Sequence, residues 1–268
     1  MKSPDPTIIK PEDIDPRHDW RGAIPAPGHT AVDFEERVDF RRLHNYRLAC
    51  TRNALKNSEL GALLCFDNNN IRYITSTNIG EWARDKVARY ALLAGGEQPH
   101  LWDFGSAAAH HRIHATWLPQ SCCHAGMVGL RGAVPPSAGL MRKAAEEIKA
   151  MLVQAGVADL PLGIDIAEPP MIFELQRQGI DVRDGQQVML DAREVKSMDE
   201  ITLLNMAAAM VDGTYQMLYE EMKPGVREND LVAKANDMLY SMGSDDVEAI
   251  NAVSGERGSP HPHNFTDR

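Results

Sequence analysis

The sequence predicts an α/β or α+β fold, because short apolar runs of strand length alternate with longer segments of helical composition. The runs Gly61–Phe66, His100–Asp103 and Leu162–Ile166 have the length and composition of buried strands. Two segments without proline, Phe34–Glu59 and Ser137–Ala155, favour helices, and a glycine follows the second. Strands that alternate with helices in this way are typical of a sheet covered by helical layers.

The composition is that of a globular protein, and the net charge favours a small ligand over a polyanionic partner. The chain has 268 residues, of which 43% are hydrophobic and 25% charged, and its formal net charge is -10. This acidic balance argues against binding to nucleic acid or to an anionic membrane, which needs clustered Lys and Arg. No apolar run approaches the length of a membrane span and the N-terminus lacks the pattern of a secretory signal, so we expect a cytoplasmic protein.

The first half of the chain predicts an arm followed by a domain. Residues 1–33 contain many prolines and few apolar residues, which predicts an extended arm. After the helix at Phe34–Glu59 and the strand at Gly61–Phe66, the polar run Asp67–Asn70 predicts a turn that leads into a second strand, Ile71–Thr75. A further strand is expected at Ala88–Leu93.

A long helix is predicted to open a second domain near residue 196. Ser197 and Glu200 have the spacing of a capping box. Apolar residues then recur at alternating spacings of three and four and form one stripe, at Ile201, Leu204, Ala208, Val211, Tyr215, Leu218 and Met222. Pro224 and Gly225 end this helix. We interpret the stripe as core packing.

The order of motifs from Lys196 onward resembles the opening of the pita-bread metallohydrolases, which include creatinase, prolidase and aminopeptidase P. The motifs are Lys196-Ser-Met-Asp-Glu-Ile201, Lys223-Pro-Gly225, Gly243-Ser-Asp-Asp246 and Ser254-Gly-Glu256 with Pro-His after it. Asn70-Ile-Arg-Tyr-Ile-Thr75 resembles the N-terminal domain of the same group. The resemblance implies a creatinase-like N-terminal domain at residues 34–195 and an incomplete pita-bread catalytic domain at residues 196–268. It also implies that the metal ligands follow residue 268, so we expect a longer protein.

A more specific resemblance, over residues 15–268, is to the dimethylsulfoniopropionate lyases of the DddP type. It is carried by the segments Ile24–Arg37, Asp67–Arg72, Ile79–Asp85, His100–Ser106 and Asp245–Glu256. The resemblance implies a β-elimination that converts dimethylsulfoniopropionate to dimethyl sulfide and acrylate. It also implies a dinuclear divalent metal centre, with iron as the metal, and a homodimer. The metal ligands and the catalytic base would lie beyond Arg268.

His261 and His263 are the candidate catalytic residues. The superfamily has a Pro-His-Tyr sequence before its first metal-binding Asp, and its His contacts the substrate. Here Pro260-His261-Pro262-His263 offers two histidines and no tyrosine, so either one matches, or both are loop residues between rigid prolines.

Trp82 is the candidate substrate-binding residue. A sulfonium ion cannot donate hydrogen bonds and has a diffuse charge, so aromatic ring faces hold it well. The chain has 4 tryptophans. Trp82 lies in the polar segment Gly80–Asp85, so its ring need not be core, and in the superfamily this domain covers the partner's active site. Core packing is the alternative role.

A second constellation of metal-binding residue types lies between residues 110 and 124. Its members are His110, His111, His114, Cys122, Cys123 and His124. On a helix His110 and His114 would share one face, but the adjacent cysteines fit no zinc-site spacing. We therefore favour a histidine-rich surface helix followed by a turn, without metal. The four cysteines, which include Cys50 and Cys65, are expected to be reduced.

Three functions remain open from the sequence. The first is the lyase. The second is a metallohydrolase of the Xaa-Pro aminopeptidase or creatinase type, for which the same fold and metals suffice. The third is a non-catalytic binding or dimerisation module; in that case the apolar stripe of the long helix would be exposed and the chain would self-associate.

Overall fold

The computed structural model describes residues 37–79, 88–127 and 135–259. The described residues divide into two compact units, one of residues Asp39–Met198 and one that begins at Asp199. The first unit holds the sheet, and the second holds two long helices.

The first unit alternates helices and strands. In chain order the elements are α1 (Phe40–Lys56), β1 (Ala62–Cys65), α2 (Asn68–Thr75), β2 (Tyr90–Ala94), β3 (His100–Asp103), α3 (Gly105–His114), β4 (Cys123–Ala125), α4 (Leu140–Gln154), β5 (Leu162–Ile164), α5 (Pro169–Arg177), β6 (Val182–Asp184) and α6 (Gln186–Glu194). The strands form a six-stranded sheet in the order β4-β3-β2-β1-β5-β6. β2 is antiparallel to β1 and β3, and the other neighbours are parallel. This architecture confirms the predicted α/β class.

The core of the first unit lies on both faces of the sheet. Alternate residues of a strand point to opposite faces, so Leu63 and Leu64 of β1 belong to different clusters. On one face the helices α4 and α5 cover the strands, with the buried side chains Leu64, Leu92, Trp102, Ile148 and Leu175. On the other face α1 and α6 do so, with the buried side chains Leu48, Leu63, Leu93, Leu101 and Met189. Because both faces are covered, β1 and β2 are buried along their whole length.

The prediction of a strand at Ile71–Thr75 was wrong, because these residues form the second half of the helix α2. The Asp67 side chain accepts hydrogen bonds from the backbone N–H groups of Asn69 and Asn70 and caps the helix. The Asn70 side chain donates to Asp165, which follows β5 and also accepts from the Asp67 N–H. The contacts with Asp165, which is distant in sequence, therefore stabilise the polar run in the conformation of a first helical turn.

The other predicted elements of this unit match the structure more closely. The strands β1, β3 and β5 lie within the predicted runs, and β2 extends one residue beyond its run. The helix α4 is shorter than predicted, and α1 ends three residues before its predicted end. Residues 34–36 of the predicted first helix lie outside the described residues. The helix α3 agrees with the histidine-rich helix expected around His110 and His114, whereas Cys123, expected in a turn, begins β4. The elements β4, α5, β6 and α6 were not predicted.

The second unit contains α7 (Met198–Glu221) and α8 (Glu228–Ser241). α7 begins directly after Ser197, where the capping box predicts a start, and it ends before Pro224. Gly225 has a φ of 94°, a left-handed conformation that glycine adopts without strain. A Cβ atom at Gly213 of α7 would lie 3.2 Å from the Met242 side chain that follows α8, so this glycine permits close packing.

The apolar stripe of α7 does not form a core in the part of the chain that the structure describes. Its large side chains Ile201, Leu204, Val211, Tyr215 and Met222 have exposed fractions between 39% and 69%. The interpretation of this stripe as core packing is therefore corrected. The helix exposes a large apolar face, which is unusual for a stable soluble surface.

Candidate functional site

The predicted site residues lie outside the described residues. Trp82 falls between residues 79 and 88, and His261 and His263 follow residue 259. The described residues show the chain on each side of Trp82 and the chain that leads to the two histidines. In each place a buried polar cluster holds the backbone.

Glu228 holds the segment that leads toward His261 and His263. This residue lies in the first turn of α8 and is buried. Its Oε1 accepts a hydrogen bond from the Ser254 backbone N–H and another from the Ser254 hydroxyl, both at 2.6 Å. The Arg257 guanidinium donates to both carboxylate oxygens, at 2.8 and 2.7 Å. One carboxylate therefore fixes a turn that is 26 residues away in sequence.

The Glu228 carboxylate is held in its charged form. The hydrogen bond from the Ser254 hydroxyl is the largest cause that keeps the pKa of Glu228 below its ordinary value, with further contributions from the Ser254 N–H and from Arg257. Both oxygens are engaged with donors, so the arrangement suits positioning rather than proton transfer. The sequence analysis identified Ser254-Gly-Glu256 but missed Glu228. Acidic residues are common in the first turn of a helix because they interact favourably with the helix dipole, so Glu228 carried no distinguishing signal.

A second buried cluster ties together the residues on both sides of the Trp82 segment. The Arg89 guanidinium donates to Asn68 Oδ1 at 3.0 Å and to the Thr77 hydroxyl. Its Nε lies 3.3 Å from Asp103 Oδ2, and both side chains are 1% exposed. His111 Nε2 lies 3.0 Å from the same carboxylate oxygen.

The charge of Arg89 persists at neutral pH. Burial lowers the pKa of Arg89 to about 10, although Asp103 opposes this change. A buried guanidinium of this kind requires its carboxylate partner. Since Thr77 precedes the Trp82 segment and Arg89 follows it, the Arg89–Asp103 pair fixes both ends of that segment.

The backbone just before the Trp82 segment is unusual at Ser76. Its φ of 53° is the one positive value among the described non-glycine residues. The Ser76 hydroxyl is hydrogen-bonded to His44 Nδ1 at 3.0 Å, and the Trp117 indole N–H donates to the Thr75 carbonyl at 2.8 Å. Burial, followed by the charges of two nearby arginines, lowers the pKa of His44. Strained residues of this kind are frequent at functional sites.

The two tryptophans within the described residues differ in their surroundings. Trp102 is 1% exposed and stacks on Tyr90 with ring centroids 4.9 Å apart. Trp117 is 42% exposed, and its indole N–H is bonded to backbone. Trp102 therefore serves the core, whereas Trp117 presents an accessible ring close to the start of the Trp82 segment.

The constellation between residues 110 and 124 is divided among three places. His110 and His114 share one face of α3, as predicted, with ring centroids 4.3 Å apart. His111 contacts Asp103, while His124 Nε2 lies 2.9 Å from His100 Nδ1. The four cysteines are free thiols. Across residues 37–79, 88–127 and 135–259, no three or more His, Cys, Asp or Glu side chains are grouped to hold a metal ion.

A cleft of about 580 Å³ lies between α1 and α6. Its apolar lining comes from Ala54, Leu60 and Val188, among others. The charged groups at its rim are largely paired, because Arg183 lies 3.5 Å from Glu59 and Gln187 donates to Asp191. The cleft therefore has room for a small molecule but no cluster of catalytic side chains.

None of the helices in the described residues combines the length and the apolar character that a membrane span requires.

The chain is similar in sequence to two curated lyases. It is 27% identical over 243 residues to the dimethylsulfoniopropionate lyase DddP of Roseobacter denitrificans, a match that covers 88% of this chain and 53% of the relative. It is 22% identical over 229 residues to the enzyme of the same name from Roseovarius nubinhibens, which covers 83% of this chain and 51% of the relative. The chain thus spans about half the length of the curated relatives it matches. No protein-family model matches it.

Solved structures with a similar fold are dipeptidases. The Xaa-Pro dipeptidase from Bacillus anthracis has a TM-score of 0.54 at 14% identity, and the match covers 76% of this chain and 50% of that one. The prolidase from Pyrococcus horikoshii OT3 has a TM-score of 0.52 at 18% identity, with coverages of 74% and 49%. The chain therefore has the fold of the pita-bread enzymes, as its motifs predicted.

Proposed function

We propose that this chain contributes the N-terminal domain and the start of the catalytic domain to a dimethylsulfoniopropionate lyase. The observation that carries the proposal is the sequence similarity to the DddP lyases, which extends over 88% of the chain. The likeness to dipeptidases, at 14% and 18% identity, concerns the fold alone. A shared fold supports many reactions, so the substrate is proposed from the sequence relatives.

The proposed reaction is a β-elimination. A base removes the proton from the carbon next to the carboxylate, and the electron pair of that C–H bond forms the new double bond. The C–S bond breaks at the same stage and its electrons leave with sulfur. The products are acrylate and neutral dimethyl sulfide. Because the sulfonium is already a good leaving group, the enzyme chiefly has to orient the substrate and take the proton.

In this proposal Trp82 binds the sulfonium, and His261 or His263 contacts the substrate. The ring of Trp82 would attract the diffuse positive charge. Residues that flank Trp82 and the two histidines in sequence support these roles. Arg89 and Thr77 hold the ends of the segment that carries Trp82, and Glu228 holds the turn that precedes the two histidines. Accurate placement of such groups contributes strongly to catalysis.

The metal, the assembly and the location complete the proposal. The described residues do not fit a metal pair. We propose that an iron pair is held by residues that follow residue 268 in a longer protein, and that it supplies Lewis-acid polarisation of the substrate carboxylate. We also propose a cytoplasmic homodimer in which Trp82 acts across the dimer.

The decisive experiment uses the gene in its source context. The open frame that contains these 268 residues, with all codons that follow, is expressed with added Fe²⁺, and headspace gas chromatography measures dimethyl sulfide release. Hydrolysis of an Xaa-Pro dipeptide is measured on the same sample. We expect dimethyl sulfide and acrylate in equal amounts and no dipeptide cleavage.

Two other outcomes separate the remaining functions. Dipeptide cleavage without dimethyl sulfide would support a metallohydrolase and remove the lyase proposal. Absence of both reactions from an iron-loaded protein would support a non-catalytic module.

Substitutions in the active longer protein test the individual residues. Trp82→Ala should raise KM about tenfold, since a cation–π contact is worth roughly 0.5–2 kcal/mol, and Trp82→Phe should retain part of the affinity. His261→Gln and His263→Gln are compared separately. The variant with the larger loss in kcat/KM identifies the histidine that contacts the substrate, and equal activity of both with the wild type would remove that role.

A further inference from the structure

The cleft between α1 and α6 shares no lining residue with the clusters around Arg89 and Glu228. Its volume is about 580 Å³, within the range of about 300–1,000 Å³ that is usual for small-molecule sites. The lining residues come from the second half of α1 and the loop after it, from the edge strand β6 and from α6. All of them belong to the first unit. The cleft is therefore a candidate binding site apart from the residues of the proposed reaction.

Part of the cleft lining is apolar and rigidly held. Val188 and Ala192 of α6 are buried members of the core cluster on this face of the sheet. Ala54 of α1 and Leu60 after it pack against the same cluster as partly buried side chains. An aliphatic chain that covered these residues would remove apolar surface from water, which is favourable in proportion to the covered area. Because the core already holds the side chains, binding would order few of them.

The charged side chains that line the cleft carry a net negative charge. They are Glu59, Arg183, Asp184 and Asp191. The guanidinium of Arg183 lies 3.5 Å from Glu59 and 3.0 Å from Asp181, so its positive charge is balanced. The carboxylates of Asp184 and Asp191 remain as negative charges at the cleft. This balance favours a positively charged ligand over a neutral or an anionic one.

The carboxylate of Asp191 is the better partner for a cation. Asp184 Oδ1 accepts a hydrogen bond from the Gln186 N–H at 2.8 Å, where the partial positive charge of the α6 N-terminus offsets part of its charge. Asp191 lies further along α6, and its Oδ1 accepts from the uncharged Gln187 side chain at 2.7 Å. No Lys, Arg or His of the described residues forms an ion pair with Asp191.

The C-terminal end of α1 adds to the preference for a cation. α1 ends at Lys56, Asn57 is its C-cap, and both Asn53 and Asn57 line the cleft. The last carbonyl groups of a helix carry partial negative charge, which attracts cations. The side chain of Lys56 is exposed and does not line the cleft, so it leaves this preference in place.

We propose that the cleft between α1 and α6 binds a primary alkylammonium ion, with the ammonium group at Asp191 and the alkyl chain against Ala54, Leu60 and Val188. An ammonium group donates three hydrogen bonds, which suits the Asp191 carboxylate together with a neighbouring amide oxygen. A sulfonium ion donates none, so the substrate of the proposed reaction is not the ligand of this cleft. The site is independent of that reaction.

The test measures how octylammonium chloride protects Cys50, which lines the cleft, from alkylation by iodoacetamide in the 268-residue chain. Cys50 is partly exposed and the other three cysteines are buried, so mass spectrometry of its peptide follows the alkylation. Octanol and octanoate present the same chain without charge and with a negative charge. Asp191→Asn removes the carboxylate, and Asp159→Asn, at an exposed acid outside the cleft, is the matched control. Nuclear magnetic resonance of the Ala54 and Val188 methyl groups reports binding independently.

We expect millimolar octylammonium to slow the alkylation of Cys50 and to shift both methyl signals, with weaker effects of octanol and octanoate. The half-protective concentration should rise about threefold in Asp191→Asn, because an exposed ion pair contributes modestly, and should stay unchanged in Asp159→Asn. The proposal is overturned if octanol or octanoate acts as well as octylammonium, or if the two variants respond alike. It is also overturned if octylammonium neither protects Cys50 nor shifts the methyl signals.

Discussion

The apolar sequence patterns of the two units differ in burial. In the first unit, the apolar runs of β1 and β2 are buried on both faces of the sheet. In the second unit, the large side chains of the apolar stripe of α7 are exposed. The difference teaches that periodicity identifies which face of an element is apolar, whereas burial depends on whether other elements cover that face.

The two units also treat charge differently. In the first unit, Arg89, Asp103 and His111 are buried together beneath the residues that flank the Trp82 segment. In the second unit, ion pairs such as that of Arg227 and Asp230 are exposed, and Glu228 with Arg257 is the more buried pair. Substitutions in the first unit should therefore have the larger effects on stability.

The largest effect is expected at the buried charge of the first unit. Asp103→Asn should lower the free energy of unfolding by about 3–5 kcal/mol, because it leaves the Arg89 charge buried without its partner. The matched control is Glu59→Gln at the exposed pair with Arg183, which should cost less than about 1 kcal/mol. Urea unfolding followed by the fluorescence of buried Trp102 measures both. Equal losses in the two variants would contradict the comparison.

The same leucine substitution should give different results in the two units. Leu64→Ala should cost about 2–5 kcal/mol, because it leaves a cavity at a side chain that is 0% exposed. Leu204→Ala, at a side chain that is 56% exposed, should change stability by less than about 0.5 kcal/mol. Urea unfolding compares the two variants. A large loss for Leu204→Ala would mean that α7 is covered.

The exposed face of α7 should promote self-association of the 268-residue chain. Replacing Leu204 and Val211 with Lys adds charge to that face. It should raise the dissociation constant of the assembly at least tenfold, which corresponds to a loss of about 1.4 kcal/mol in the free energy of association. Val153→Lys, on the exposed side of α4, is the control and should change little. Sedimentation velocity distinguishes the variants. A monomeric wild-type chain would argue against this expectation.

The partly buried pair His100 and His124 should stay neutral to a lower pH than an exposed histidine. Its pKa values are lowered in the fold, so its contribution to stability is present above the ordinary value of 6.5 and is lost as the pH falls toward about 4. Nuclear magnetic resonance of the imidazole protons follows the titration of His124, and His124→Gln assigns the signal. Titration of His124 near pH 6.5 would contradict the partly buried contact with His100.

The smallest effect is expected at Glu228. Its pKa is lowered in the fold, so the stability that it contributes is present above the ordinary value of 4.5 and is lost as the pH falls below that value. Hydrogen exchange of the Ser254 amide should accelerate over this range, while the core of the first unit stays protected. Glu228→Gln should show fast exchange already at pH 7. Slow exchange in this variant would mean that other contacts hold the turn.

Many contacts of the candidate site could not be predicted from the sequence, because they join residues that are far apart along the chain. Ser254-Gly-Glu256 was recognised, but the residue that holds it, Glu228, has no local signal and lies 26 residues away. His124 was assigned to a group with His110 and His114, whereas its partner is His100, 24 residues earlier on the neighbouring strand. Strand pairing decides such contacts, and the order of strands in a sheet is not encoded by local periodicity.

The sequence by itself determined the α/β class, the places of β1, β3 and β5, and the start and end of α7. These features follow from local chemistry, namely apolar run length, the capping box at Ser197 and the helix-breaking pair Pro224 and Gly225. Only the tertiary structure decided that Asn68–Thr75 is helical, because Asn70 is held by Asp165, which is distant in sequence and follows the neighbouring strand β5. It also decided that the apolar stripe of α7 is exposed, since burial is a property of neighbouring elements and not of the helix alone.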